Sequence, residues 1–80
     1  ISPENIMSDK RDKNIKDARQ VSMYIIREIT GMKLVDIGNV FNGKTHSTVN
    51  HSIEVIEDRM NENPVFKKTV EDIIKNMQEF

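Results

Sequence analysis

An all-α fold, a small helical bundle, is what this chain predicts on three observations. Apolar residues recur three and four places apart through each strongly patterned segment, the spacing that gathers them on one face of a helix. No stretch alternates apolar and polar residues as a half-buried strand would. Of the three glycines and two prolines, all but Gly38 stand at segment ends, so nothing but that one glycine interrupts a helical pattern. Eighty residues suffice for one domain and one core, with about 60% of the unfolded surface buried at this size.

The elements follow in order. Ser2-Pro3-Glu4 has a polar cap followed by a first-turn proline, and opens a short helix to about Ser8 that carries Ile6 and Met7. Asp9 to Lys16, with Ile15 its single apolar residue, reads as a loop. Asp17 with Gln20 three places on is a capping-box pattern that starts the next helix, in which Val21, Tyr24, Ile25 and Ile29 keep helical spacing up to a stop at Gly31. A helix over about Leu34 to Phe41 places Leu34, Ile37, Val40 and Phe41 on one side and ends at the turn dipeptide Asn42-Gly43. Gly38 within it costs about 1 kcal/mol against Ala, and close approach of the neighbouring helix is the expected reason for it. From His46 to about Asn61 a helix of roughly 24 Å carries Val49, Ile53, Ile56 and Met60 as its buried stripe. Asn63-Pro64 then opens a last helix with Phe66, Val70, Ile73, Ile74, Met77 and Phe80 turned inward. The expectation is a single domain over residues 1–80, with a helix-turn-helix at about 34–61 and a packing helix at about 64–80.

Composition removes several classes of function. Without cysteine there is no disulfide scaffold and no thiolate metal site, which fits a reducing cytoplasm. No apolar stretch approaches a membrane span or a signal-peptide core. The net charge of −1 is unusual for a protein that binds nucleic acid, but it is unevenly spread. Residues 1–52 hold eight Lys/Arg against six Asp/Glu, and residues 53–80 four against seven, giving +2 and −3. A polyanion would meet the first part, and the last third would face away from it.

The segment Gly43-Lys44-Thr45-His46-Ser47-Thr48-Val49-Asn50-His51 carries the chemistry. A glycine turn opens into a helix whose first residues are short and polar, the layout of a helix whose N-terminal residues touch base edges in the major groove and whose free N–H groups favour nearby phosphate. At about 100° per residue from His46, Val49, Ile53 and Ile56 cluster at about 280–340°, so the outward direction is near 130°. Ser47 and His51 fall there, Thr48 lies on the other flank, and Asn50 sits toward the boundary of the buried stripe. His46 and His51 stand about 140° apart and cannot share one metal ion, so no metal site is expected. Glu54, three residues after His51, is placed for a surface salt bridge with it. There is no glycine-rich phosphate loop, and Ser47 beside His46 lacks the orienting third group of a nucleophilic site. The sequence therefore predicts no enzyme, no catalytic residue and no cofactor in this chain. Lys10-Arg11-Asp12-Lys13, with Lys16 and Arg19, reads either as a solvated connection or as an anchor for phosphate or the minor groove.

The run Ile37-Gly38, Phe41, Gly43-Lys44, His46-Ser47-Thr48-Val49 and His51 resembles the signature of the C-terminal DNA-binding domains of the DnaA family of bacterial replication initiators. Ile6-Met7-Ser8, Lys10-Arg11 and Arg19-Gln20 resemble the short helix, basic loop and helix start that precede that signature, and Ile56-Glu57 with a closing amphipathic helix fits its tail. The resemblance implies a Trp-repressor-like helix-turn-helix that binds double-stranded DnaA boxes, asymmetric repeats near TTATNCACA at the replication origin, as a monomeric module. In that family the signature helix enters the major groove and an arginine of the basic loop reaches the minor groove. By position Arg11 matches that arginine, Lys44 the basic residue before the helix, His46 the histidine near its start, and Ser47, Thr48 and His51 the groove-facing contacts; Lys13, Arg19 and Thr45 complete the expected DNA-binding set. Three positions depart from the pattern: Thr45 stands where Asp is usual, Asn50 where an aliphatic residue is usual, and Ala18 where a helix-starting proline is common. The resemblance further implies a bacterial, cytoplasmic protein, with ATP held on the AAA+ domain of a full-length parent from which this fragment is excised, and with protein regulators as further partners. A transcription regulator with another operator, and a helical protein-interaction module using the acidic last third, are the alternatives the residues leave open.

Overall fold

The computed structural model describes residues 13–79, so the helix expected at 2–8, Arg11 and Phe80 lie outside the described residues. Four helices run in order: α1 (Lys13–Thr30), α2 (Leu34–Val40), α3 (His46–Glu62) and α4 (Pro64–Gln78), with no strand among the described residues. Helix α3 is the hub, packed against each of the other three. Its first half joins one cluster of buried side chains, Met23, Ile37, Phe41, Val49 and Ile53. Its second half joins another, Ile25, Ile56, Met60 and Val70. Each such side chain contributes roughly 1.5–3 kcal/mol by leaving water, so the rotation of α3 about its axis is held from both ends.

The prediction for α1 needs correction at its start. The helix begins by Lys13, so Lys13 to Lys16 are helical rather than loop, and Asp17 lies inside the helix instead of capping it. A shortage of apolar residues does not break a helix; glycine and proline do, and neither occurs between Lys13 and Thr30. Ile15 is half-buried, which extends the packed face one turn earlier, and Gln20 is turned inward and buried rather than reaching back to a cap. Met23, outside the predicted stripe, is fully buried at the centre of the first cluster. Because α1 is covered by α2, α3 and α4, its buried face is wider than a single stripe. Val40 departs in the other direction: it is exposed, while Phe41 at the end of the same helix is buried. In α4, Val70 is buried and Phe66 and Ile74 are half-buried, whereas Ile73 and Met77 lie exposed.

The turn into α3 is built from backbone. Asn42 and Gly43 take successive left-handed conformations, φ 62° and 75°, which glycine and, among the other residues, asparagine adopt most readily. The reversal delivers the Lys44 N–H to the Gly38 carbonyl at 2.9 Å. A β-carbon at position 38 would overlap the Lys44 carbonyl oxygen and stand 3.5 Å from Val49 Cγ2. The close approach expected at Gly38 is thus made mainly by the turn itself, and only secondarily by α3.

Candidate nucleic-acid interface

Helix α3 starts at a side-chain cap. Thr45 is extended at φ −70° and ψ 159°, and its Oγ1 accepts the Thr48 N–H at 3.2 Å. The Thr45 hydroxyl also donates to Thr48 Oγ1 at 3.1 Å, and the Thr45 carbonyl accepts the Val49 N–H at 3.0 Å. Such a cap is worth about 1 kcal/mol to the helix. Here it also fixes where the first turn stands relative to the Gly43 turn.

Thr45, His46, Ser47, Thr48 and His51 are all exposed, on the first two turns of α3. Val49, Ser52, Ile53, Ile56 and Met60 are buried on the other side, so the outward face is the one the periodicity indicates. Lys44 is half-buried directly before the cap, bringing a cation to the same end of the helix. Lys13 and Arg19 do not share a face. Six residues apart on α1, they point about 120° away from each other, with Lys13 exposed and Arg19 half-buried. Arg11 lies outside the described residues.

Beyond His51 the exposed face of α3 changes chemistry. Glu54, Asp58 and Glu62 follow on it, all exposed. Glu54 accepts from Asn50 Nδ2 at 3.0 Å, in place of the expected pairing with His51. The i, i+4 spacing of Asn50 and Glu54 was the available signal for this bond. On the side of α1, α3 and α4 away from the cap, Glu57, Glu71 and Lys67 border a shallow cleft with Tyr24, Met60 and Asn61. Burial, and then the carboxylates of Glu28, Glu57 and Glu71, push the Tyr24 hydroxyl above its usual pKa. Arg59 lies over the Phe66 ring at 4.0 Å, committed to packing between α3 and α4. The negative field is therefore concentrated along the last third of the chain, and the neutral and cationic polar groups at the start of α3.

Among the described residues no three His, Cys, Asp or Glu side chains converge to hold a metal ion, and no helix is long and apolar enough to cross a membrane. What the arrangement can do chemically is donate and accept hydrogen bonds from a rigid, capped helix end.

Residues 1–56 match a family model described as the bacterial dnaA protein helix-turn-helix. The chain is 43% identical over 77 residues to the chromosomal replication initiator protein DnaA of Citrifermentans bemidjiense, and equally to that of Geobacter sp. strain M21. It is 37% identical over 76 residues to the DnaA of Lachnoclostridium phytofermentans. The alignments take in 96%, 96% and 95% of this chain but 17% of each relative, so the chain spans about a sixth of the length of these proteins. No solved structure matches.

Proposed function

Since this chain belongs to the bacterial DnaA helix-turn-helix family, a family of DNA-binding rather than catalytic domains, we propose that it binds double-stranded DnaA boxes at a replication origin, one module to each asymmetric site. The first two turns of α3 enter the major groove, where Thr45, His46, Ser47, Thr48 and His51 meet base edges and phosphates. Lys44 meets phosphate beside the cap, Arg11 reaches the adjacent minor groove, and Lys13 and Arg19 lie toward the backbone. The observation that carries the reading is the capped, exposed polar end of α3 held in register by Val49, Ile53, Ile56 and Met60. Glu54, Asp58 and Glu62 add a constraint. Carboxylates spaced along the same face are repelled by phosphate, so α3 must enter end-on, with the turns that carry Asp58 and Glu62 tilted out of the groove. The whole parent is a replication initiator of the bacterial cytoplasm, its nucleotide chemistry placed outside this chain, and its protein regulators meet the acidic side.

The test is a titration of the 80-residue chain with a duplex DnaA box, a scrambled duplex and a palindrome of two half-sites, all at one salt concentration. The proposal expects one chain per box and at least about ten-fold weaker binding to scrambled DNA. Equal affinity for all three would remove sequence recognition. A two-to-one complex confined to the palindrome would make the chain a dimeric operator binder instead.

A further inference from the structure

The hydrogen bond between Asn50 and Glu54 places an oriented carboxylate on the DNA-facing side of α3, at a position the reading of the groove contacts leaves unused. Taking His46 as zero, Glu54 stands at about 80° and Asn50 at about 40°, against about 100° for Ser47 and 140° for His51. Glu54 thus continues the outward face about two turns beyond Ser47 and one beyond His51, about 4.5 Å further along the axis than His51. Side chains on a helix lean back toward its N-terminus, so the Glu54 carboxylate is carried toward the turn that enters the groove. Asn50 Nδ2 holds Oε1 at 3.0 Å from the preceding turn, which limits the rotamers left to the glutamate. Both residues are exposed, so the pair is accessible to a ligand.

We infer that Glu54 is a specificity-determining residue, positioned by Asn50, that accepts a hydrogen bond from the exocyclic amino group of one cytosine at the end of the site nearest the C-terminal half of α3. This rests on the proposal that α3 lies in the major groove. A carboxylate has no proton to donate, so among major-groove edges it pairs with an amine, and cytosine N4 is the group that Glu and Asp accept from. Guanine O6 and N7 and thymine O4 offer it acceptors only and repel it, and adenine sets its N7 acceptor beside the N6 amine, which leaves cytosine as the base that suits a carboxylate best. Asn50 contributes in two ways: one amide proton fixes Oε1, and its own carbonyl keeps a second acceptor beside the carboxylate. A carboxylate near the duplex also weakens contact with any sequence through phosphate repulsion, so the residue trades general affinity for discrimination at one pair.

The experiment measures binding of wild type, Glu54→Gln, Glu54→Ala and Asn50→Ala to a DnaA box, to every single-pair substitution of it, and to a scrambled duplex, with thermal unfolding of each variant recorded alongside. Wild type is expected to prefer cytosine at one pair by roughly five-fold or more, the range of one good base contact. Glu54→Gln and Glu54→Ala are expected to erase that preference while binding scrambled DNA more tightly than wild type. Asn50→Ala keeps the charge and should reduce the preference without the gain on scrambled DNA, a split that loss of a surface contact alone would not produce. If the Glu54 variants tighten binding to all duplexes by one factor and every single-pair preference stays as in wild type, the carboxylate only repels phosphate and the inference is wrong. If wild type itself does not distinguish the box from scrambled DNA, it is the reading of α3 as a groove-binding helix that fails.

Discussion

Replacing Gly38 by alanine tests whether the turn before α3 is as closely seated as the geometry indicates. The new β-carbon would clash with the Lys44 carbonyl oxygen, a backbone atom that no rotamer change can remove. The Lys44 N–H is bonded to the Gly38 carbonyl at 2.9 Å, so the two backbones cannot separate without loss of that bond. Losing it costs about 1 kcal/mol, and the forced displacement another 1–3 kcal/mol or so. Alanine returns about 1 kcal/mol of helix propensity. The net loss is about 2 kcal/mol, or a fall of roughly 8–16 °C in the unfolding midpoint for a domain of this size. Thermal unfolding followed by far-ultraviolet circular dichroism reads it, with Val35→Ala as the control, since Val35 is exposed in the same helix and should change stability by no more than about 0.5 kcal/mol. A Gly38→Ala protein as stable as wild type would mean that the turn stands clear of α2, and the account of how the cap is positioned would fall with it.

Four further outcomes are expected. Arg11→Ala should weaken box binding by about 1–3 kcal/mol; unchanged affinity in a folded protein would remove Arg11 from the interface. Thr48→Ala or His51→Ala should lower affinity for the box far more than for scrambled DNA, and an equal loss on both would confine these residues to phosphate contact. Thr45→Asp should keep the cap, because Asp serves there as well as Thr, and sharpen discrimination at the neighbouring C·G pair by about 1 kcal/mol or more; identical discrimination in boxes with that pair exchanged would reduce position 45 to a cap. Tyr24 is the single tyrosine, so phenolate absorbance reads it directly: its midpoint should lie above 10.0, raised by burial and then by Glu28, Glu57 and Glu71. Since the folded state holds that proton more tightly than the unfolded chain, its stabilisation is complete below about pH 10 and is lost as pH rises through the folded midpoint. In Tyr24→Phe that part of the alkaline loss should be absent, and a midpoint at or below 10.0 in wild type would contradict the burial.

The parts of the fold that could be read from the chain are those where one cause dominates. Helix α3 is bounded by a cap at Thr45 and by Asn63-Pro64, with four buried aliphatic positions between, and nothing competes with that pattern. The start of α1 is not legible in the sequence because a polar stretch looks alike whether it is loop or solvated helix. Absence of breakers, not presence of apolar residues, separates the two. Met23 falls outside the predicted stripe and Val40 inside it for a tertiary reason: how wide a helix face becomes buried depends on how many neighbours reach it, which a single periodicity cannot encode.

The same distinction explains what was legible at the site. That Thr45, Ser47, Thr48 and His51 are exposed follows from the positions of Val49, Ile53 and Ile56, because a rigid helix turns one set outward when it buries the other. That Thr45 and Thr48 share a hydrogen bond, and Asn50 and Glu54 another, depends on rotamers chosen between several partners at helical spacing. Glu54 had two candidates, His51 three residues before it and Asn50 four before it, and helical spacing admits both. The structure pairs it with the amide instead, and His51 keeps both ring nitrogens for other partners. The consequence reaches function through the sign of the charge at that point. Held by Asn50, the Glu54 carboxylate is oriented on the face that also carries Ser47 and His51. On the proposed reading of α3 as a groove-binding helix, first turns without carboxylates and a third turn that carries one favour entry N-terminus first.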